Sequence, residues 1–316
     1  MNHLVWFRYL IALDEYKHFS RAADACNITQ PALSNALKAL EESYGISIIT
    51  RGRSFIGFTD EGQKVLDSAR RIMREHETLQ QELKSTDTEP TGHLPIGAIP
   101  TAIPIAGRFV ALLQAKHPSL TIELKSVSSQ DLETGVENGS LEMGLGYATR
   151  LTTRQHQLTA VHQYNEHYYL VRKRESSTPK RALKGSPISW AAAAEYPLCL
   201  LSRSMYNRHI LDQTFQEVGV APTPVIETNS IFTLGIAATA GSACSIMPGA
   251  LVDQMLRDPN IEAHPLMAPH IATDISWILL KTDRRSRVLR AALAFAQSAD
   301  WTETLNQHSG ALGTQA

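Results

Sequence analysis

"SRAADACNITQPALSNALKALEE", residues 20–42, sets two short helical patterns on either side of one turn. Ser20 stands where an N-cap belongs. Ala22, Ala23 and Cys26 form the inner face of the first pattern, and their small side chains let another helix approach closely. Asn27 tolerates the left-handed conformation that ends a helix. Thr29 fits as the cap of the next helix, with Pro31 in its first turn, where a missing N–H costs little. That helix is predicted to run to about Tyr44 and to stop at Gly45. One face carries Leu33, Ala36, Leu37 and Leu40; the other carries Gln30, Ser34, Asn35 and Lys38. One helix braces the unit, and the other is offered to something outside it.

Upstream, Leu4, Phe7, Leu10, Ile11 and Leu13 recur at the spacing of an amphipathic helix. Downstream, "ISIITRGRSFIGF", residues 46–58, has two β-rich runs around Arg51, Gly52, Arg53 and Ser54, which predicts a small hairpin. Thr59, Asp60 and Glu61 then open a long helix, with carboxylates at its positive end. Val65, Ala69, Ile72, His76, Leu79 and Leu83 step by alternating fours and threes, a heptad seam. The seam has no partner nearby in sequence, so it predicts pairing with a second copy of the chain. His76 reads most simply as a polar residue tolerated in a short interface. The sharper reading is a register-setting contact that loosens when protonated.

"STDTEPTGH", residues 85–93, is polar, contains Pro90 and Gly92, and reads as a linker. Beyond it strands and helices alternate, which predicts parallel strands with helical crossovers in two lobes around a cleft. The predicted strands are "HLPIGAI", "LTIELKSV", "EMGLGYA", "YPLCLLS", "TPVIET", "SACSIMP" and "ISWILLKT". Expected divisions are 1–58 for the helix-turn-helix, 59–88 for a dimerisation helix and 89–93 for a hinge. A binding domain would span 94–301, with lobe I at about 94–164 and 269–301 and lobe II at about 165–268. The stretch 302–316 is expected to be a flexible tail.

At 316 residues the chain is too long for one small domain. Its apolar content of 43% and charged content of 19% are those of a globular protein. No uninterrupted apolar run approaches the roughly 20 residues of a membrane helix, and no secretory signal is expected. Cys26, Cys199 and Cys244 are odd in number and far apart, which suggests neither a disulfide framework nor a zinc site. A cytoplasmic location with no cofactor follows as the expectation. Net charge is −1, and the first 58 residues hold six Lys and Arg against five Asp and Glu. Any DNA contact must therefore rest on charge placement.

"FSRAADACNITQPALSNALKALEESYGISIITRGRSFIGFTDEG" resembles the amino-terminal winged helix-turn-helix of the LysR-type transcriptional regulators. The resemblance extends along the whole chain, through the linker helix and a two-lobed domain like the periplasmic binding proteins. It implies an α/β fold with an all-α winged helix-turn-helix domain in front. "GSLEMGLGY" is similar to the family's Gly-x-Leu-Asp-x-x-Ile stretch, with Glu142 where Asp is usual. Cys26 stands where Leu is usual, and Gly62 where Ala is common; both departures touch packing. The resemblance implies a homotetramer built as a dimer of dimers, an interrupted dyad in promoter DNA and a small-molecule effector. RNA polymerase would be a further partner of an activator.

In such a motif the second helix enters the major groove, and its first turns touch base edges. Gln30 and Asn35 suit adenine, Ser34 is less selective, and Lys38 suits a phosphate. Arg51 and Arg53 at the hairpin tip would reach the backbone or the minor groove. Ser20 and Thr29, at helix starts, would add phosphate contacts. Pro31 is mainly structural but can touch a thymine methyl.

A ligand of a two-lobed α/β module sits at the carboxyl ends of strands and the amino ends of helices. Candidate effector contacts are therefore Thr101 and Ala102 after the first strand, Ser128 and Ser129 after the second, and Tyr147. In the second lobe they are Ser202, Tyr206, Asn207 and Asn229. Converging helix amino termini favour a carboxylate or other small anion. Capping a helix, and nothing more, is the competing reading for each hydroxyl.

Three other readings compete. For an enzyme, no nucleophile elbow is present, and Gly144-x-Gly146 lacks the rest of a dinucleotide fingerprint. His156, His162 and His167 lack metal-ligand spacing and read as surface residues. A cytoplasmic solute-binding protein would suit the last 220 residues or so but leaves the helix-turn-helix unused. A thiol-based redox regulator would, by the resemblance, place cysteines in the loop 202–207. That loop has none, and Cys199 and Cys244 fall in apolar strands.

Overall fold

The computed structural model describes residues 3–52, 55–83, 89–153, 157–174, 183–255, 258, 260–282 and 284–310. Two compact units are present, one built mainly on the first 88 residues and the other mainly on the rest.

The first unit opens with helices α1 (His3–Tyr16), α2 (Phe19–Ala25) and α3 (Gln30–Tyr44). Strands β1 (Ile49–Arg51) and β2 (Phe55–Phe58) form an antiparallel hairpin, and helix α4 (Asp60–Leu83) follows. Local chemistry sets most of these limits. Asn27 takes φ +56° in the turn between α2 and α3, and Gly45 takes φ +67° at the end of α3. Thr29 Oγ1 accepts the Ala32 N–H at 3.4 Å, capping α3. Leu10, Leu13, Ala22, Ala23, Leu33, Leu37 and Leu40 meet in one core beneath the three helices.

Two expectations need correction here. Ser20 is not an N-cap. Helix α2 begins at Phe19 after the extended residue His18, which supplies no side-chain cap. Phe19 packs on the core and stacks edge-on with Phe55, drawing the helix one residue earlier. The heptad seam also divides. Ala69 is buried and Val65 half-buried in this unit's own core, whereas Ile72 and Leu79 are exposed. His76 is half-buried and lies 3.1 Å from Gln80 Nε2. The side chain of Leu83 lies outside the described residues.

The second unit begins with β3 (Gly92–Ala98), the 3-10 turn 100–102, α5 (Ile103–Lys116), β4 (Leu120–Ser126), α6 (Ser129–Asn138) and β5 (Met143–Tyr147). The 3-10 turn 148–153 leads to β6 (Leu158–Glu166), and β7 (Tyr168–Lys173) follows after one residue. Next come β8 (Leu183–Lys184), β9 (Ile188–Ser189), α7 (Trp190–Ala193), β10 (Leu198–Leu201), α8 (Tyr206–Glu217) and β11 (Ile226–Thr228). The chain closes with α9 (Ile231–Ala240), β12 (Cys244–Pro248), α10 (Gly249–Met255), β13 (Ile261–Met267), β14 (Thr273–Leu280), α11 (Arg287–Ala296) and α12 (Ala299–His308).

Two sheets make two lobes. The first runs β4-β3-β5-β14-β6, and the second runs β11-β10-β12-β7-β13-β8, with β9 also on β13. The expectation of parallel strands holds for β3, β4 and β5 and for β10, β11 and β12. It fails for β14, β6 and β7, which pair antiparallel. Both lobes are mixed because the chain crosses between them at His167 and again between β13 and β14. The expected flexible tail also needs correction, since residues 299–308 are helical. Ser298 Oγ caps α12 through the Trp301 N–H, Trp301 is fully buried, and its indole N–H donates to Gln163 Oε1 at 2.7 Å. Tyr169 donates its hydroxyl to the Gly310 carbonyl at 2.8 Å, fixing the chain beyond the helix. Residues 311–316 lie outside the described residues.

Candidate functional sites

On α3, Leu33, Leu37 and Leu40 are buried, so the opposite face must point away from the core. Gln30, Pro31, Asn35 and Lys38 are exposed there, and Ser34 is half-buried. Lys38 Nζ sits 3.8 Å from Glu42 Oε1 with both side chains exposed. Such a pair is worth little, so the ammonium is available to a phosphate. Glu41 Oε1 accepts the N–H groups of Ile48 and Ile49 at 2.9 and 3.1 Å, which pins the hairpin to the same helix. Thr29 is exposed at the helix start. Ser20 is half-buried inside α2, where its N–H lies in the first turn. Arg53 and the side chain of Arg51 lie outside the described residues.

In the second unit a cavity of about 1000 Å³ opens between the two lobes. Thr101, Ser128, Ser129, Tyr147, Tyr206, Asn207 and Asn229 line it, so seven of the nine expected contacts converge. The other two do not. Ala102 is fully buried, because the 3-10 turn directs its methyl into the lobe I core. Ser202 is held at the end of β10 by its N–H to the Thr228 carbonyl at 2.8 Å, and its hydroxyl faces Ser204 at 3.2 Å. Arg203, Ser204 and Met205 reach the cavity in its place.

The back of the cavity is a chain of buried hydrogen bonds. Asn207 Nδ2 donates to Tyr147 OH at 3.2 Å, and Tyr147 OH donates to Glu166 Oε1 at 3.2 Å. Thr101 Oγ1 lies 3.2 Å from the same phenol, and Tyr168 donates to Glu166 Oε1 at 2.9 Å. Burial pushes the Glu166 carboxyl up to about 7, against the downward pull of the Tyr168 and Tyr147 hydrogen bonds. Burial, reinforced by the nearby Glu166, raises the Tyr147 phenol well above its ordinary value. Glu166 Oε2 and Asn207 Oδ1 are buried without a hydrogen-bond partner.

Charge enters from two arginines. Arg150 Nε donates to the buried Glu133 at 2.5 Å, and its guanidinium lies 4.7 Å from the centre of the Tyr206 ring. Arg203 is exposed at the cavity rim. Ser128 Oγ bonds the Asp131 carboxylate at 2.7 Å and accepts the Asp131 N–H at 3.1 Å, so the start of α6 is already capped. The start of α8 has no side-chain cap: Met205 offers none, and with the Arg208 N–H already on the Met205 carbonyl at 3.0 Å, the N–H groups of Tyr206 and Asn207 are the ones open to a ligand. Sequence reasoning missed Arg150, Arg203 and Glu166. Arg203 carried a signal, since it follows a strand and precedes a helix.

Cys199 and Cys244 are buried on neighbouring strands but belong to the cores on opposite faces of the sheet. Burial raises both thiols above their ordinary range. No group of three or more potential metal ligands exists among the described residues. His162 bonds Asp274 at 2.9 Å, and His167 bonds the Ile271 carbonyl at 3.2 Å. His156 lies outside the described residues.

A winged helix-turn-helix joined to a two-lobed ligand module is the class that fold and sites define. Residues 4–63 match the model of the bacterial regulatory helix-turn-helix proteins of the lysR family, and residues 87–301 match the LysR substrate binding domain. The chain belongs to the LysR family of bacterial regulators. A hydrogen peroxide-inducible genes activator of Haemophilus influenzae is 38% identical over 138 residues, 43% of this chain and 46% of that protein. The chain thus matches about half the length of that relative. The regulator BenM of Acinetobacter baylyi is 26% identical over 87% of this chain and 88% of its own. Full-length OxyR from Pseudomonas aeruginosa shares the fold with a TM-score of 0.74 at 20% identity, covering 93% of this chain and 97% of that one. CbnR bound to its target DNA does so at 0.64 and 21%, covering 94% and 99%.

Proposed function

We propose that this LysR-family protein binds double-stranded promoter DNA through α3 and the hairpin, and that a small anionic effector in the cleft changes that binding or the activation that follows. The observation that carries the reading is the exposed face of Gln30, Asn35 and Lys38 set on a leucine core. The protein works as a homodimer or homotetramer in the cytoplasm, catalyses no reaction and needs no cofactor. RNA polymerase is a partner if it activates. Support for self-association comes from exposed Ile72 and Leu79 on α4. Phe232 and Ile236, 80% and 64% exposed beside a groove of about 630 Å³ between α5 and α9, add to it. Large exposed apolar groups mark interaction surfaces.

The uncapped start of α8 and the exposed Arg203 support an anionic ligand. A thiol sensor is disfavoured, because both effector-domain cysteines are buried on opposite faces of a sheet and the loop 202–207 holds none. Selection of duplexes from a random pool by the full chain tests the DNA reading. Enrichment of an interrupted dyad is expected; a pool that stays random overturns it.

A further inference from the structure

Residues 308–310 tie one lobe of the second unit to the other. Helix α12 belongs to lobe I, since Trp301 and Leu305 are buried in that lobe's core. It ends where the Ser309 N–H meets the Leu305 carbonyl at 2.8 Å, and Gly310 then turns the chain away with φ +66°. Gly310 lands on lobe II. Its carbonyl accepts the Tyr169 hydroxyl at 2.8 Å, and Tyr169 is buried in the core of the second sheet. Its backbone lies against Gly249, the first residue of α10, so closely that a Cβ on Gly249 would stand 2.5 Å from the Gly310 carbonyl oxygen. Two residues earlier, His308 Nδ1 donates to Asp253 Oδ2 on α10 at 2.9 Å, and that oxygen also accepts from Arg108 of α5 at 3.3 Å.

These contacts gather at the hinge. The chain passes between the lobes at His167 and again between β13 and β14, and Tyr169 stands two residues past the first passage. The Gly249 N–H donates to the His167 carbonyl at 2.9 Å, so the helix beneath Gly310 is bonded to the passage itself. Helix α10 also packs against the 3-10 turn 100–102, whose Thr101 lines the cavity, and Ala250 shares the lobe I core with Ala102. We propose that residues 308–310 are a strap across the hinge of the effector domain, and that a change in the spacing of the lobes, and so in the shape of the cleft, requires its release. The reason is mechanical. Helix α12 moves with lobe I and Tyr169 with lobe II, so rotation about the passages draws the Gly310 carbonyl off the Tyr169 hydroxyl. An O–H···O bond keeps its strength only within about 2.5–3.0 Å. The strap acts whatever the cleft binds, so the proposal stands apart from the anionic reading.

Hydrogen exchange of the full chain, without any ligand, tests it. Gly249→Ala pushes the strap away and leaves Tyr169 as it is: the three atoms nearest the new methyl all belong to Gly310, and alanine suits a helix. Peptides covering 165–169 and 273–276, at the hinge ends of β6, β7 and β14, should exchange roughly 2- to 13-fold faster, the equivalent of about one lost hydrogen bond. A chain ending at Ser309 should show the same acceleration, and Gly249→Ala should add nothing to it. Should the shortened chain not fold, Tyr169→Phe removes the hydroxyl alone and should accelerate the same peptides. Acceleration confined to 249–255 and 299–310, with the hinge peptides at the wild-type rate, makes the contact local packing and overturns the strap. A Gly249→Ala effect that persists undiminished in the shortened chain places the clash elsewhere and overturns it too.

Discussion

Alanine at position 62 should loosen the first unit, although the LysR pattern commonly carries alanine there. Gly62 lies in the first turn of α4, and a Cβ on it would stand 2.0 Å from the Ile48 carbonyl oxygen, against the 3.0 Å that real Cβ atoms respect. The obstructing atom is backbone and cannot swing away. That carbonyl accepts the Thr59 N–H at 3.0 Å. Thr59 Oγ1 donates to the Ser47 carbonyl at 2.6 Å and accepts the Gly62 N–H at 2.9 Å. Helix and strand must part by about an ångström, at the expense of one or two of these bonds. Overpacking of this kind costs about 1–3 kcal/mol, and lost hydrogen bonds fall in the same range. Alanine's higher helix propensity returns up to about 1 kcal/mol. The net expectation for Gly62→Ala is a loss of about 1–3 kcal/mol. Hydrogen exchange of peptides covering residues 46–62 should accelerate by roughly 5- to 150-fold, with peptides from β10 to β14 unchanged. Unchanged exchange in 46–62, with an unchanged urea midpoint for this unit, would refute the reasoning.

Glu166→Gln should flatten the pH dependence of stability. The folded carboxyl titrates at about 7 against an ordinary 4.5, so the folded state keeps a proton that the unfolded chain has released. Its stabilising contribution is complete below about pH 4.5 and is lost as pH rises through about 7, about 3 kcal/mol in all. Thermal midpoints of both proteins at pH 5 and 8 check this, and parallel shifts contradict it. Cys199 and Cys244 should resist a thiol reagent in the folded protein and react only on unfolding. Rapid labelling of either would reopen the peroxide-sensing reading. Ile72→Asp together with Leu79→Asp, on exposed positions of α4, should lower the oligomeric mass in analytical ultracentrifugation while leaving the fold intact; an unchanged mass removes the seam from the assembly.

The helix-turn-helix was legible because its signals are local. Asn27, Thr29, Pro31 and Gly45 each mark a backbone event within a few residues, and the leucine spacing fixes which face is inner. The same locality explains the error at Ser20, where Phe19 is drawn in by Phe55, a residue 36 positions away. In the second unit the parallel strands were readable from their alternation with helices. β6 and β7 were not, since "HQYNEHYY" contains polar residues throughout. Its burial comes from pairing with β14 and β12, each roughly 70 or more residues distant in sequence. Glu166 was missed for this reason: nothing near it in sequence announces a fully buried carboxyl. Arg150 was missed because its partners, Glu133 and Tyr206, lie on different lobes. Seven of the nine cleft residues could be found from strand ends and helix starts alone. Ala102 and Ser202 could not be rejected that way, because which side of a short turn faces the cavity depends on packing.

Binding of the wild type, Gln30→Ala, Asn35→Ala and Lys38→Ala to a selected operator and to a scrambled duplex, at two salt concentrations, tests the account at its centre. Loss of Gln30 or Asn35 should cost about 1–3 kcal/mol on the operator and little on the scrambled duplex. Loss of Lys38 should weaken both alike and lower the salt slope by about 1. If all three variants bind both duplexes as the wild type does, the outward face of α3 is not the surface that meets DNA.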